Sequence, residues 1–307
     1  MKRIVLVLFG LVVLFLVVML VFSTSKKVDK IDLMLNRFEH DLFSVNPQNI
    51  IEKLNKWDQE FGSFNEIFAT QIIQIPYKDK DQYYNSLIAF VQNKDMREAY
   101  DSTALVFSDF SDIHHDLECA FGRFSLVFPS YSVPSITTFF GGFNYGVVTY
   151  DGNIGIGLEN FLGQSSKFYQ YLGDPDYLRF QKQKKFILSN VMEVWFNEYF
   201  QKYLGGRDLL SQMIYKGKMM CFLDKMLPEL PIEDKFRFTL EQMSWVEENE
   251  ASIWQYFIHE DLLFSKKESD FRSFLSYAPF AKGMPKEAPA RVACYIGYRM
   301  VNEYLQH

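Results

Sequence analysis

The first pattern in the chain is an unbroken apolar run from Ile4 to Phe22, preceded by Lys2 and Arg3 and followed by Lys26 and Lys27. Its nineteen residues, as a helix, span about 28 Å, close to the ~30 Å hydrocarbon core of a bilayer. The run exceeds the roughly 7–15 apolar residues of a cleaved secretory signal. Residues 1–25 are therefore expected to form a retained single-pass anchor, with a removed signal peptide cut near Ser23–Ser25 as the alternative. Either way residues 26–307 are placed outside the cytoplasm.

Past this run the apolar spacing becomes helical. Ile31, Leu35, Phe38, Leu42 and Phe43 recur as one face of a helix, and Ile50, Leu54, Trp57 and Phe61 repeat the pattern after Pro47. Further helices are predicted over Asp79–Asn93 and Asp112–Ser125. The middle changes period. Short β-prone runs at Ser135–Phe140, Gly146–Tyr150 and Asn153–Leu158 are separated by glycines, and Asp151-Gly152 is a two-residue hairpin signal. This predicts a sheet of about three strands.

Helical spacing then returns over Asp176–Tyr203 and Leu209–Leu227. Thr239 and Gln242 are spaced as a capping box opening a helix that runs through Trp245 toward Trp254 and His259. Pro289 is placed in the first turn of the last helix. The fold class is α+β, predominantly helical, a small sheet packed by helices. No Gly/Ser-rich linker divides residues 26–307, which are read as one globular domain.

Charge narrows the partners. The chain has 32 Lys and Arg against 38 Asp and Glu, a net −6, the wrong sign for a phosphate-backbone binder, so no nucleic-acid partner is expected. The three cysteines, Cys119, Cys221 and Cys294, are far apart in apolar surroundings and read as buried thiols, with a Cys221–Cys294 bridge left open. No cysteine stands near the end of the apolar run, so lipid acylation there is not expected.

Sequence signals for chemistry are sparse. His114, His115 and Glu118 stand close enough on one helix to suggest a divalent-metal site, against the commoner reading of a solvated helix start. Phe139, Phe140, Phe143 and Tyr145 suggest a stacking surface for a glycan or peptide, against core packing. The most informative stretch is Met192-Glu193-Val194-Trp195-Phe196, on the helix after the sheet. Zinc proteases place H-E-x-x-H on such a helix, two histidines sharing one face and the glutamate activating water. Here the glutamate is present, but Met192 and Phe196 occupy the ligand positions. Lys216 falls where a third ligand would stand. A protonated lysine cannot ligate Zn²⁺, so no metal and no cofactor is expected. Glu193, buried without a metal, requires a cation, and Lys216 is the predicted one.

Longer blocks carry a resemblance. Arg37-Phe38-Glu39 with Leu42-Phe43, "FFGGFNYG", "DGNIGIGLENFLG", "MIYKGKMMCFLDKMLPELP", "EENEASIWQYFIHEDLLFS" and "APARVACYIGYRMVNEYL" together span most of residues 31–305. In these the chain resembles the GldB family of gliding-motility lipoproteins. The resemblance implies a cell-envelope protein needed for gliding, without established catalysis or cofactor, and distantly similar to zinc-protease folds. Residues 26–307 are accordingly expected to be a degenerate, zincin-like pseudoenzyme in the periplasm. Its expected partners are the membrane, through residues 4–22, and other proteins of the gliding or envelope machinery. A membrane-anchored metallopeptidase with non-standard ligands such as His114 and His115, and a glycan- or peptide-binding module, are the alternatives.

Overall fold

Asp151 and Gly152, both at positive φ, turn the chain between Val147–Tyr150 (β3) and Asn153–Gly157 (β4), which pair antiparallel as the hairpin signal predicts. Ile136–Phe139 (β2) lies parallel to β4, and a fourth strand, Leu35–Arg37 (β1), lies parallel to β2, giving the order β1-β2-β4-β3. The computed structural model describes residues 30–307. The apolar run at 4–22 lies outside them, and among the described residues no helix is long and apolar enough to cross a membrane.

The sheet thus has four strands, one more than its local spacing indicates. Leu35–Arg37 corrects the helix expected there: the segment finds ladder partners about a hundred residues away, and the helix begins only at Phe38. Arg37 fixes this edge. Its guanidinium donates to the Phe107 carbonyl at 2.9 Å and to the buried Glu39 carboxylate at 2.5 Å, which also accepts from Thr138 Oγ1 at 2.6 Å.

Helices surround the sheet. On the N-terminal side are Phe38–Phe43 (α1), Ile50–Glu60 (α2), Phe64–Ile67 (α3), Lys80–Gln92 (α4) and Lys94–Val106 (α5). Ser111–Val127 (α6) precedes β2; Lys167–Tyr171 (α7), Asp176–Gln181 (α8), Ile187–Phe200 (α9) and Leu209–Met226 (α10) follow β4. Ile232–Phe236 (α11), Leu240–Glu248 (α12), Glu250–His259 (α13), Glu268–Leu275 (α14) and Val292–Gln306 (α15) complete the chain.

Strand alternation sends side chains to opposite faces of the sheet, and each face has its own core. Ile136, Ile154 and Ile156 pack into one cluster with Phe121, Phe124, Trp195 and the α10 methionines. Phe139 and Tyr150 pack into the other with Phe38, Trp57, Phe64 and Phe68. The rings of Phe139 and Phe140 are fully buried there, so they are core residues and not the stacking surface considered from sequence; Phe143 is half-buried and only Tyr145 is well exposed.

Three helices depart from their sequence patterns. The stretch predicted as one helix from Asp176 to Tyr203 breaks after Gln181, where Gln183 bridges to Leu162 and Lys182 reaches Asp174, and restarts at Ile187. The capping box of Thr239 and Gln242 is present, but its helix stops at Asn249, whose side-chain amide donates to the Trp245 carbonyl at 2.8 Å. An Asn that bonds back to its own helix competes with the backbone ladder. The last helix begins at Val292, not Pro289, because Arg291 adopts a left-handed conformation. All three cysteines are free.

Candidate functional site

Glu193 projects from α9 into the space between α10 and the chain segments around Arg237 and Arg291. Its carboxylate forms an ion pair with the Arg237 guanidinium through Oε2 and with Lys216 Nζ, 3.4 Å from Oε1. Arg237 also donates to the Tyr277 hydroxyl, which accepts a second bond from Arg291 Nη1 at 2.9 Å. The Arg291 guanidinium stacks over the Tyr277 ring, 4.4 Å from its centroid, and donates to the Phe236 carbonyl at 2.6 Å. The cluster therefore sets three cations and one phenol about a single carboxylate.

Local backbone geometry places both arginines. Arg237 ends α11 at φ 55° and Arg291 precedes α15 at φ 67°, each in the left-handed region that bulky residues seldom occupy. Each such residue costs on the order of 1–2 kcal/mol, held in place by the surrounding structure. Both side chains are almost wholly buried. Burial pushes the Glu193 carboxyl upward, but Arg237, Lys216 and Arg291 outweigh it and hold the pKa at about 2. Glu193 is thus ionised throughout the neutral range.

The flanking helix positions offer zinc none of its usual ligands. Met192 is fully buried in the core, and Phe196 packs against Phe200, Tyr215 and Phe222. The second metal constellation does not assemble: His114 Nε2 bonds the Leu33 carbonyl at 2.8 Å, Glu118 pairs with Lys30 at 2.6 Å, and His115 lies beside Cys119. Among the described residues no three His, Cys, Asp or Glu side chains gather as a metal site.

Sequence reasoning identified Glu193 and Lys216 but missed Arg237, Tyr277 and Arg291. One signal was legible. Each arginine sits inside an apolar run, Phe236-Arg237-Phe238 and Ala290-Arg291-Val292, where an unpaired charge is costly and a partner is implied.

Two concavities flank this helix system. Arg237, Tyr277 and Arg291 line a cleft of about 200 Å³. Elsewhere on α9 and α10, Phe196, Phe200 and Phe222 floor an apolar groove of about 430 Å³, with Lys218 and Lys225 among its lining. Its edge includes the exposed Val127, Tyr203, Tyr304 and Leu305.

The fold and the cluster define a helix-rich α+β protein whose central helix carries one ionised carboxylate neutralised by basic side chains. Comparison with known families gives the particular assignment. The chain belongs to the gliding motility protein GldB family, whose model matches residues 23–307, and it is thereby a gliding-related component of the cell envelope. That family is not a known enzyme family. No curated protein and no solved structure matches the chain.

Proposed function

We propose that this protein is a non-catalytic, membrane-anchored envelope component that supports gliding through protein–protein contacts, with residues 4–22 as the anchor and the globular part in the periplasm. One observation carries the non-catalytic reading: the Glu193 carboxylate is engaged by Lys216 and Arg237. A general base must be free to reach a water or substrate proton. A carboxylate held at a pKa of about 2 by basic side chains is a poor base at neutral pH. The arrangement reads as a zinc-protease frame in which packing and an ion cluster replace the metal.

The contact surface is the apolar groove on α9, α10 and α15. Exposed apolar side chains rimming a concavity mark an interaction site, and Lys218 and Lys225 complement acidic flanks. Its occupant in this reading is an apolar helix with acidic flanks from a partner envelope protein.

The test is a chromosomal Val127→Asp/Leu305→Asp double substitution in a gliding host, with protein level and melting temperature measured beside surface spreading. Both side chains are exposed, so the fold is expected to persist while gliding is lost. Normal gliding by the variant would defeat the contact reading.

A further inference from the structure

The cation cluster is under-neutralised. Arg237 and Arg291, both buried, are met by one carboxylate, Glu193, which also pairs with the part-exposed Lys216, and the acid that lines the cleft, Asp176, is exposed and paired with Arg179. Buried cations normally occur paired with anions, because desolvation leaves an uncompensated charge at a cost of several kcal/mol. Hydrogen bonding is incomplete as well. Arg237 Nε is buried with no acceptor, and Gln181 Oε1, on the same cleft, is buried with no donor. The Tyr277 hydroxyl accepts from both arginines, and its own proton has no acceptor among the described residues.

The charge and the polar atoms of this cleft define a complementary group. It must bring negative charge to two guanidiniums and a phenol, and an N–H donor a few ångströms away for Gln181. Its body must suit walls formed by Phe180, Phe238, Pro279 and Pro289. Inorganic phosphate supplies the charge and a P–OH donor, but it is compact and brings no apolar body to those walls. A peptide carboxylate supplies all three, since a backbone N–H lies close to the acid in both a chain end and an acidic side chain. Arginine forks match the planar carboxylate, and about 200 Å³ admits roughly one residue.

We infer that the cleft lined by Gln181, Arg237, Tyr277 and Arg291 is a binding site for a peptide carboxylate. The site lies apart from the apolar groove and does not depend on it. Both guanidiniums are already oriented: Arg237 by Glu193, Arg291 by the Phe236 carbonyl. A ligand therefore meets them with little of the ordering cost that exposed arginines carry.

The experiment uses the full chain in a non-ionic detergent, with binding followed by ligand-observed NMR. The probes are acetyl-Gly-Ala-Val as the free acid, the same peptide as its amide, acetyl-Gly-Glu-Val-amide, and inorganic phosphate. The free acid is expected to bind at least about tenfold more tightly than its amide. Binding of the glutamate peptide assigns the site to acidic side chains as well as chain ends. Arg291→Gln is expected to abolish binding; because that arginine is buried, Gln181→Glu serves as the second variant, placing a carboxylate in the cleft and excluding the ligand while the arginines remain. Equal binding of acid and amide, absence of peptide binding at millimolar concentration, binding of phosphate alone, or binding unchanged in Gln181→Glu would each overturn the assignment.

Discussion

Gly217 on α10 and Gly297 on α15 face each other where the two helices cross, so closely that a Cβ on Gly217 would collide with the Gly297 carbonyl and one on Gly297 with the Met213 carbonyl. Glycine in a helix interior costs about 1 kcal/mol relative to alanine; here the cost is offset by the close packing of two backbones.

Replacing either glycine by alanine is accordingly predicted to destabilise the protein by roughly 2–4 kcal/mol, since helix propensity is regained but the helices must separate. Urea midpoints measure this. Gly205→Ala is the control: a Cβ there meets nothing within 4 Å, and a change below about 0.5 kcal/mol is expected.

Glu193→Gln leaves Lys216, Arg237 and Arg291 without their one carboxylate. A loss of about 3–5 kcal/mol is expected, the range for breaking a buried ion pair from one side. Lys216→Met is predicted to cost less than about 1 kcal/mol, because Lys216 is about a quarter exposed, lies 3.4 Å away, and leaves Arg237 in place. Equal losses in the two variants would show that Lys216, not Arg237, carries the neutralisation.

Two carboxyls give opposite pH signatures. Glu193, held at about 2, contributes stability that is full above its unfolded value near 4.5 and is lost as the pH falls through 2. Glu159 behaves in reverse. Burial raises it to about 7, although the Gly141 and Phe143 N–H groups bond its Oε1. The folded state keeps this proton after the unfolded chain releases it, so the associated stability is full below pH 4.5 and is lost as the pH rises through 7, by roughly 3 kcal/mol. Chemical denaturation at pH 4.5 and pH 8 is predicted to show Glu159→Gln gaining on the parent protein as the pH rises. A constant difference between the two would contradict the raised value.

Zinc added in excess is predicted to leave the melting temperature unchanged. His114→Ala is expected to cost about 1 kcal/mol by removing the bond to the Leu33 carbonyl, with or without zinc. A zinc-dependent rise in the parent protein that disappears in His114→Ala would revive the metallopeptidase alternative.

The features legible in the sequence were local ones. The Asp151-Gly152 hairpin, the Thr239–Gln242 capping box and the helices on α6 and α10 follow from dihedral preferences, side-chain bonds and apolar period within a few residues of each other. Glu193 and Lys216 were legible through spacing: Glu193 stands where the glutamate of an H-E-x-x-H helix would, Lys216 where a third ligand would, and a carboxylate without its metal needs a cation. Features that depend on distant partners were not legible. Leu35–Arg37 has a helical apolar spacing but becomes a strand because Ile136–Thr138 offers a backbone ladder. The helix from Asp176 breaks because Leu162 and Asp174 engage Gln183 and Lys182. Arg237, Tyr277 and Arg291 are separated by 40 and 14 residues in sequence, and no periodicity brings them together. Folding joins them because desolvated cations must find acceptors, and chain topology determines which acceptors are in reach.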